Sequence, residues 1–214
     1  MGAAPYPLGV DVGLTIAAGL AGYLVGTFPT AALVTRLATR GQVDIRSVGS
    51  GNPGGLNAMH AVGKRWGIAV IVVDIVKGVV AGLLGWLIGD DAGAYAGATA
   101  SIAGHILPVW SRFRGGKGVA TSGGAVLVVF PAYFPIDVAV AATGALSTRN
   151  AERAVWWSAP VWIGAALLWW LADLPNLWGP EPSVGLPISA AVGAGVILWK
   201  FQASRPRETA TAQT

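Results

Sequence analysis

Cysteine is absent from the 214 residues, which excludes a disulfide framework and any thiolate metal site. Charge is scarce as well. Asp, Glu, Lys and Arg together make up 11% of the chain, against about 25% in soluble domains. A larger soluble core cannot account for this deficit, because a water-facing surface would still require charge. Histidine is limited to two residues, and no cluster of carboxylates accompanies them, so the sequence predicts neither a metal nor any other cofactor. The first ten residues hold no Lys or Arg, and Asp11 precedes the first apolar run. That run lacks the positive flank of a secretory signal and is expected to be retained as a span.

Apolar residues make up 54% of the chain and ten are Trp, a residue that gathers at the two membrane interfaces. A spanning helix needs about 20 mostly apolar residues. By that measure the sequence predicts spans near 12–35, 66–88, 93–110, 118–134, 136–147, 155–172 and 185–201. The expected fold is all-α, a polytopic transmembrane bundle of about seven helices. The expected domain layout is a single unit over 1–202 and a polar tail over 203–214, disordered by composition.

Charge placement gives the orientation. With seven spans and the N-terminus outside, one face carries 36–65, 111–117, 148–154 and the C-terminus. These segments hold every Lys and Arg except Lys77, and the opposite face holds Asp11, Asp90, Asp91, Asp173 and Glu181. The positive-inside rule makes the basic face cytoplasmic. A six-span arrangement would move Arg149 and Arg153 outside. Topology therefore explains the basic balance without nucleic acid as a partner, and nothing in the chain requires an obligate protein partner.

Two basic loops carry the candidate chemistry. From Asp44 to Asn57 the chain reads D-I-R-S-V-G-S-G-N-P-G-G-L-N. The density of Gly and Pro from Gly49 to Asn57 predicts irregular backbone. A loop of this kind can turn its N–H groups inward as an anion-binding nest, or remain a solvated membrane loop. Ser50, Asn52 and Asn57 supply side-chain donors, and Arg46, Lys64 and Arg65 supply charge. The second loop runs from Gly104 to Thr121, with Gly115, Gly116 and Gly118 around Lys117 at the start of a predicted helix. A helix N-terminus favours anions. The spacing is not that of a nucleotide P-loop, and no strand precedes it. His105, at the inner end of the third span, is either a packed histidine or a base for acyl transfer. Asp74 and Lys77 share one helix face at i and i+3. They form a structural pair, or Lys77 points into a phosphate pocket.

These residues resemble the bacterial acyl-phosphate-dependent glycerol-3-phosphate acyltransferases, small seven-span enzymes of the inner membrane. The family loop S-G-N-x-G-A-T-N-x-x-R corresponds to Ser50–His60, and its D-x-x-K-G to Asp74, Lys77 and Gly78. Its G-H-x-x-P corresponds to Gly104, His105 and Pro108, and its F-K-G-G-K-G-V-A-T to Phe113–Thr121, differing only at Arg114. The departures are His60 in place of the family Arg, Gly55-Leu56 in place of A-T, and Glu152 where the family has Ser. The C-terminal H-x-x-N-I-x-R-L motif is missing, and the chain ends its last span with W-K-F-Q-A-S-R. The resemblance implies transfer of a fatty acyl group from acyl phosphate to the 1-hydroxyl of glycerol 3-phosphate, giving lysophosphatidic acid at the cytoplasmic side of the bilayer. It implies Ser50 and His105 as the groups that orient the hydroxyl and handle its proton. Phosphate would be held by Lys117 with the N–H groups of Gly115 and Gly116 and by Lys77, the acceptor phosphate by Arg149, and Asn52 and Asn57 would shape the first loop at the substrate site.

Overall fold

A computed structural model describes residues 9–148 and 151–204. The expected site residue Arg149 and most of the predicted tail, 205–214, lie outside the described residues. Within the described residues every regular element is a helix: α1 (Val12–Gly26), α2 (Thr30–Ala38), α3 (Gly55–Val62), α4 (Lys64–Ile106), α5 (Val119–Val129), α6 (Phe134–Thr148), α7 (Ala151–Leu171) and α8 (Gly185–Ala203). Among these residues four helical runs are long and apolar enough to cross a bilayer: Val12–Ala38, Lys64–Ser111, Glu152–Leu171 and Gly185–Ala203.

The second of these runs makes two passes. Helical dihedrals fail at Gly89 and Asp90, where Asp90 takes a φ of 50°, and the two arms of α4 fold back on each other. Gly85 lies against the Gly93 carbonyl, and Gly97 against that of Ala81. The predicted spans 66–88 and 93–110 are therefore one hairpin. α1 runs parallel to the second arm. Gly22 abuts Gly97, and Gly26 abuts Ser101. Small residues four apart on both helices let the backbones touch, and in lipid this close van der Waals packing takes the place of a hydrophobic driving force.

α5 rises beside the first arm, with Gly124 on the Ile75 carbonyl and Gly78 on that of Thr121. At 11 residues it is about 16 Å long, too short to cross a hydrocarbon core of about 30 Å by itself. Its C-terminal end is closed by the segment between α7 and α8. The Asn176 Nδ2 donates to the Val129 carbonyl, the Trp178 Nε1 donates to that of Leu127, and Phe130 meets Trp169 edge to face. α6 and α7 then form a hairpin, and α8 returns parallel to the second arm of α4, with Gly185 against Tyr95 and Gly193 against Ile102. At the hairpin tip, Asp91 accepts from Trp86 and from the Glu181 amide. Among the described residues the four long apolar runs make five passes, α4 supplying two of them, the shorter α5 and α6 pack beside these, and both basic loops meet at one end.

Three local expectations are corrected. The first span breaks at Thr27–Pro29, where Pro29 leads into α2. The first loop is not irregular as far as Asn57, because α3 begins at Gly55. A side chain at Gly55 would collide with Ile71, so glycine there allows the helix start to lie against α4. The fourth span stops at Val129, and the fifth begins at Phe134, ahead of the predicted 136.

Candidate functional site

The glycine loop is built around Asn57. Its Oδ1 accepts from the Ser50 amide at 3.0 Å, and its Nδ2 donates to the Ile45 and Val48 carbonyls, both at 3.0 Å. Gly49 and Gly51 take φ values of 57° and 67°, and a Cβ on Gly49 would strike the Asn57 side chain. Asn57 is 5% exposed and its polar atoms fold the loop. The Ser50 Oγ accepts from the Asn52 amide at 3.4 Å, and its own hydrogen has no partner among the described residues.

The second loop is fastened to α1 and to the first loop. Tyr23 Oη donates to the Leu107 carbonyl at 2.8 Å, and Trp110 Nε1 to Thr27 Oγ1 at 2.9 Å. Arg46 Nη2 reaches the Arg114 carbonyl at 3.4 Å. The amides of Gly115 and Gly116 donate to the carbonyls of Ile106 and His105. They are thus committed to the backbone, which corrects the expectation that they hold phosphate. What these glycines provide is clearance. A Cβ at Gly116 would run into His105 Nε2 and the Pro53 carbonyl, and one at Gly115 into the His105 carbonyl. The uncommitted amides are those of the first turn of α5, which begins after Gly118 at a φ of 82° and has no preceding carbonyls to bond.

Lys77, Asp74 and His105 form a buried cluster. Lys77 Nζ donates to the Phe28 carbonyl at 3.0 Å, to the Gly26 carbonyl at 3.3 Å and to His105 Nδ1 at 3.1 Å. Asp74 Oδ1 lies 2.9 Å from Nζ as its ion-pair partner. All three ammonium hydrogens are taken. Lys77 ties α4 to the α1–α2 junction and has none left for a phosphate, which fits the structural pair expected of Asp74 and Lys77 and not the phosphate role that the resemblance implies.

One cavity of about 470 Å³ gathers the remaining residues. Ser50, Asn52, Asn57, Asp74, His105 and Lys117 line its polar end, and Val126, Ala159, Trp162 and Ile197 line its apolar extension between α5, α7 and α8. Along α5 the lining runs from Val119 to Val126, roughly 10 Å of helix. Burial lowers the Lys117 ammonium from the ordinary lysine range, and the charge of Glu152 acts in the opposite sense. The lining residues Phe201 and Asp137 were not singled out from the sequence, since a Phe within an apolar run and a lone Asp beside a predicted span carry no signal.

A helical bundle with long apolar runs, and a cavity that is polar among the basic loops and apolar between the helices, defines the class: an integral membrane protein with a site at one end of its bundle. The family follows from comparison. The model of the glycerol-3-phosphate acyltransferase family matches residues 16–210, and the chain belongs to that family. A glycerol-3-phosphate acyltransferase of Bacillus cytotoxicus is 38% identical over 127 residues, 59% of this chain and 63% of the relative. One of Exiguobacterium sibiricum is 41% identical over 113 residues, 53% of this chain and 54% of the relative. The matched stretch thus spans less than two thirds of the length of these relatives. The crystal structure of PlsY (YgiH), an integral membrane glycerol 3-phosphate acyltransferase, in its glycerol 3-phosphate form superposes with a TM-score of 0.71 at 29% identity over 88% of both chains. The lysophosphatidic acid form gives the same TM-score at 28% identity.

Proposed function

We propose that this protein transfers a fatty acyl group from acyl phosphate to the 1-hydroxyl of glycerol 3-phosphate, releasing lysophosphatidic acid and inorganic phosphate. The observation that carries this reading is the convergence of Ser50, Asn52, His105 and Lys117 on one cavity whose far part is apolar. The donor tail would occupy the apolar extension, with its phosphate beside Lys117 and the first turn of α5. The positive-inside rule supports putting this end, where the basic loops meet, at the cytoplasmic side of a bacterial inner membrane.

The bonding of His105 refines its role. An ammonium has no acceptor capacity, so Nδ1 must accept from Lys77, and the neutral ring then carries its hydrogen on Nε2. The nitrogen nearest Gly116 is therefore a donor. His105 is better suited to hydrogen-bonding a phosphate or carbonyl oxygen than to removing a proton, which revises the role expected from the resemblance. Acyl phosphate is a mixed anhydride with a good leaving group, and positioning supplies much of the rate for such a reaction. The hydroxyl's proton ends on the released phosphate, and Ser50 orients the hydroxyl.

The test is an assay of purified protein with palmitoyl phosphate and labelled glycerol 3-phosphate. Lysophosphatidic acid formed by wild type and lost in His105→Ala and Lys117→Ala establishes the reaction. Phosphate release only with another hydroxyl acceptor would mean that the acceptor has changed, in keeping with the missing C-terminal motif. No turnover with any acceptor would remove the enzyme reading.

A further inference from the structure

Two lysines near the cavity are held in opposite ways. Lys77 is paired with a carboxylate, and each of its hydrogens is donated. Lys117 Nζ instead stands over the ring of Phe201, 4.1 Å from its centroid. Phe201 is 2% exposed, lies in the last turn of α8, and lines the same cavity as Lys117. Among the described residues no acceptor takes a hydrogen from Lys117.

The difference matters for a phosphate ligand. A carboxylate fixes an ammonium by cancelling its charge and accepting a hydrogen from it. An aromatic face fixes it through the ring quadrupole. The ring therefore holds the ammonium without taking its N–H groups. A lysine in the manner of Lys77 would be well placed but already neutralised. A lysine with no partner would be charged but would lose rotamer freedom on binding.

We propose that Phe201 is a positioning residue for phosphate binding. Its ring face holds the Lys117 ammonium at the polar end of the cavity, charged and uncommitted, so that a substrate phosphate oxygen is the first acceptor the ammonium meets. This rests on Lys117 being a phosphate ligand. The inference also gives the C-terminal end of α8 a part in the site, in a chain that lacks the His and Asn of the family's C-terminal motif. The ring needs no polar group, which is why the residue is silent in the sequence.

The test replaces Phe201 with mono-, di- and trifluorinated phenylalanine, which keep the shape of the ring and weaken its quadrupole in steps. Radiolabelled inorganic phosphate binding by equilibrium dialysis reads the site without turnover, and KM and kcat are measured alongside. The expected result is a stepwise rise in the phosphate Kd and in KM, about twofold to tenfold across the series, with kcat unchanged. Phe201→Tyr should behave as wild type, and Phe201→Leu should exceed the trifluoro effect. A flat fluorination series, or a fall in kcat at constant KM, overturns the inference. The fluorinated series settles the question even where Phe201→Leu fails to fold. If no acyl transfer is found in wild type, the proposed activity fails by itself, and the dialysis series still decides the role of the ring.

Discussion

Lys77 Nζ lies 3.1 Å from His105 Nδ1, and an ammonium there, paired with Asp74, can only donate, which puts the imidazole hydrogen on Nε2. The cavity then meets an N–H at Nε2 rather than a lone pair. Gln places an amide nitrogen close to where Nε2 stands, whereas Ala leaves nothing there. His105→Ala should lower kcat by about 10²–10³, the usual effect of removing one donor to a developing oxyanion. His105→Gln should keep a substantial part of the rate. Steady-state kinetics of the two variants decide the matter. Equal loss in both would return His105 to the role of base.

The same cluster makes a stability prediction. Asp74 and Lys77 are 2% and 5% exposed, deep enough that removing one partner strands a charge. Lys77→Met should destabilise the protein by about 3–5 kcal/mol, the range for breaking a buried pair. The double variant Lys77→Met with Asp74→Asn should recover part of that loss, because neither side then carries a charge. Thermal unfolding in detergent, followed by intrinsic tryptophan fluorescence, gives the order of the three midpoints. A single variant as stable as wild type would show that the pair does not hold α4 to the α1–α2 junction.

The bundle was legible in the sequence because the bilayer is a demanding solvent. Apolar length marks the spans, and Lys and Arg mark one face, as Arg112, Arg114 and Lys117 did for the second loop. The site was legible as a set of loops, since Gly-rich stretches beside basic residues carry their own signal. Side-chain commitments were not legible. Nothing in the spacing of Asp74 and Lys77 shows that the Gly26 and Phe28 carbonyls lie within reach, because those atoms are brought there by the break at Thr27–Pro29. The amides of Gly115 and Gly116 read as anion ligands until the fold placed the Ile106 and His105 carbonyls opposite them. The helix at Gly55 was hidden by the glycines that permit its packing.

Glycine clearance in the second loop leads to a paired comparison. A methyl group at Gly116 would press on His105 Nε2 and the Pro53 carbonyl, while one at Gly123, on α5, would meet nothing within 4 Å. Gly116→Ala should therefore cut kcat/KM at least tenfold through displacement of His105 and the first loop, a loss of about 1.4 kcal/mol or more in transition-state binding. Gly123→Ala should leave kinetics unchanged and stabilise the helix by up to about 1 kcal/mol. Kinetics and melting of the pair test this. Similar kinetics in both would mean that the loop yields without moving His105.

Lys117 gives the pH dependence. Burial lowers its ammonium below the ordinary lysine range, and the Glu152 carboxylate opposes that shift. The charged form binds phosphate, so binding weakens as pH rises through the lowered value, earlier on the alkaline side than for an exposed lysine. On the acid side, the donor phosphate gains its second negative charge, and binding strengthens as pH rises through that point. KM should therefore pass through a minimum between the two limbs. Lys117→Arg replaces the titrating group with one that stays charged, and should move the alkaline limb upward or abolish it while leaving the acid limb in place. Glu152→Gln removes the charge that supports the ammonium and should move the alkaline limb to lower pH. The two variants are thus expected to shift the same limb in opposite directions. An alkaline limb that neither variant moves would belong to another group, and Lys117 would then not be the cation that holds the phosphate.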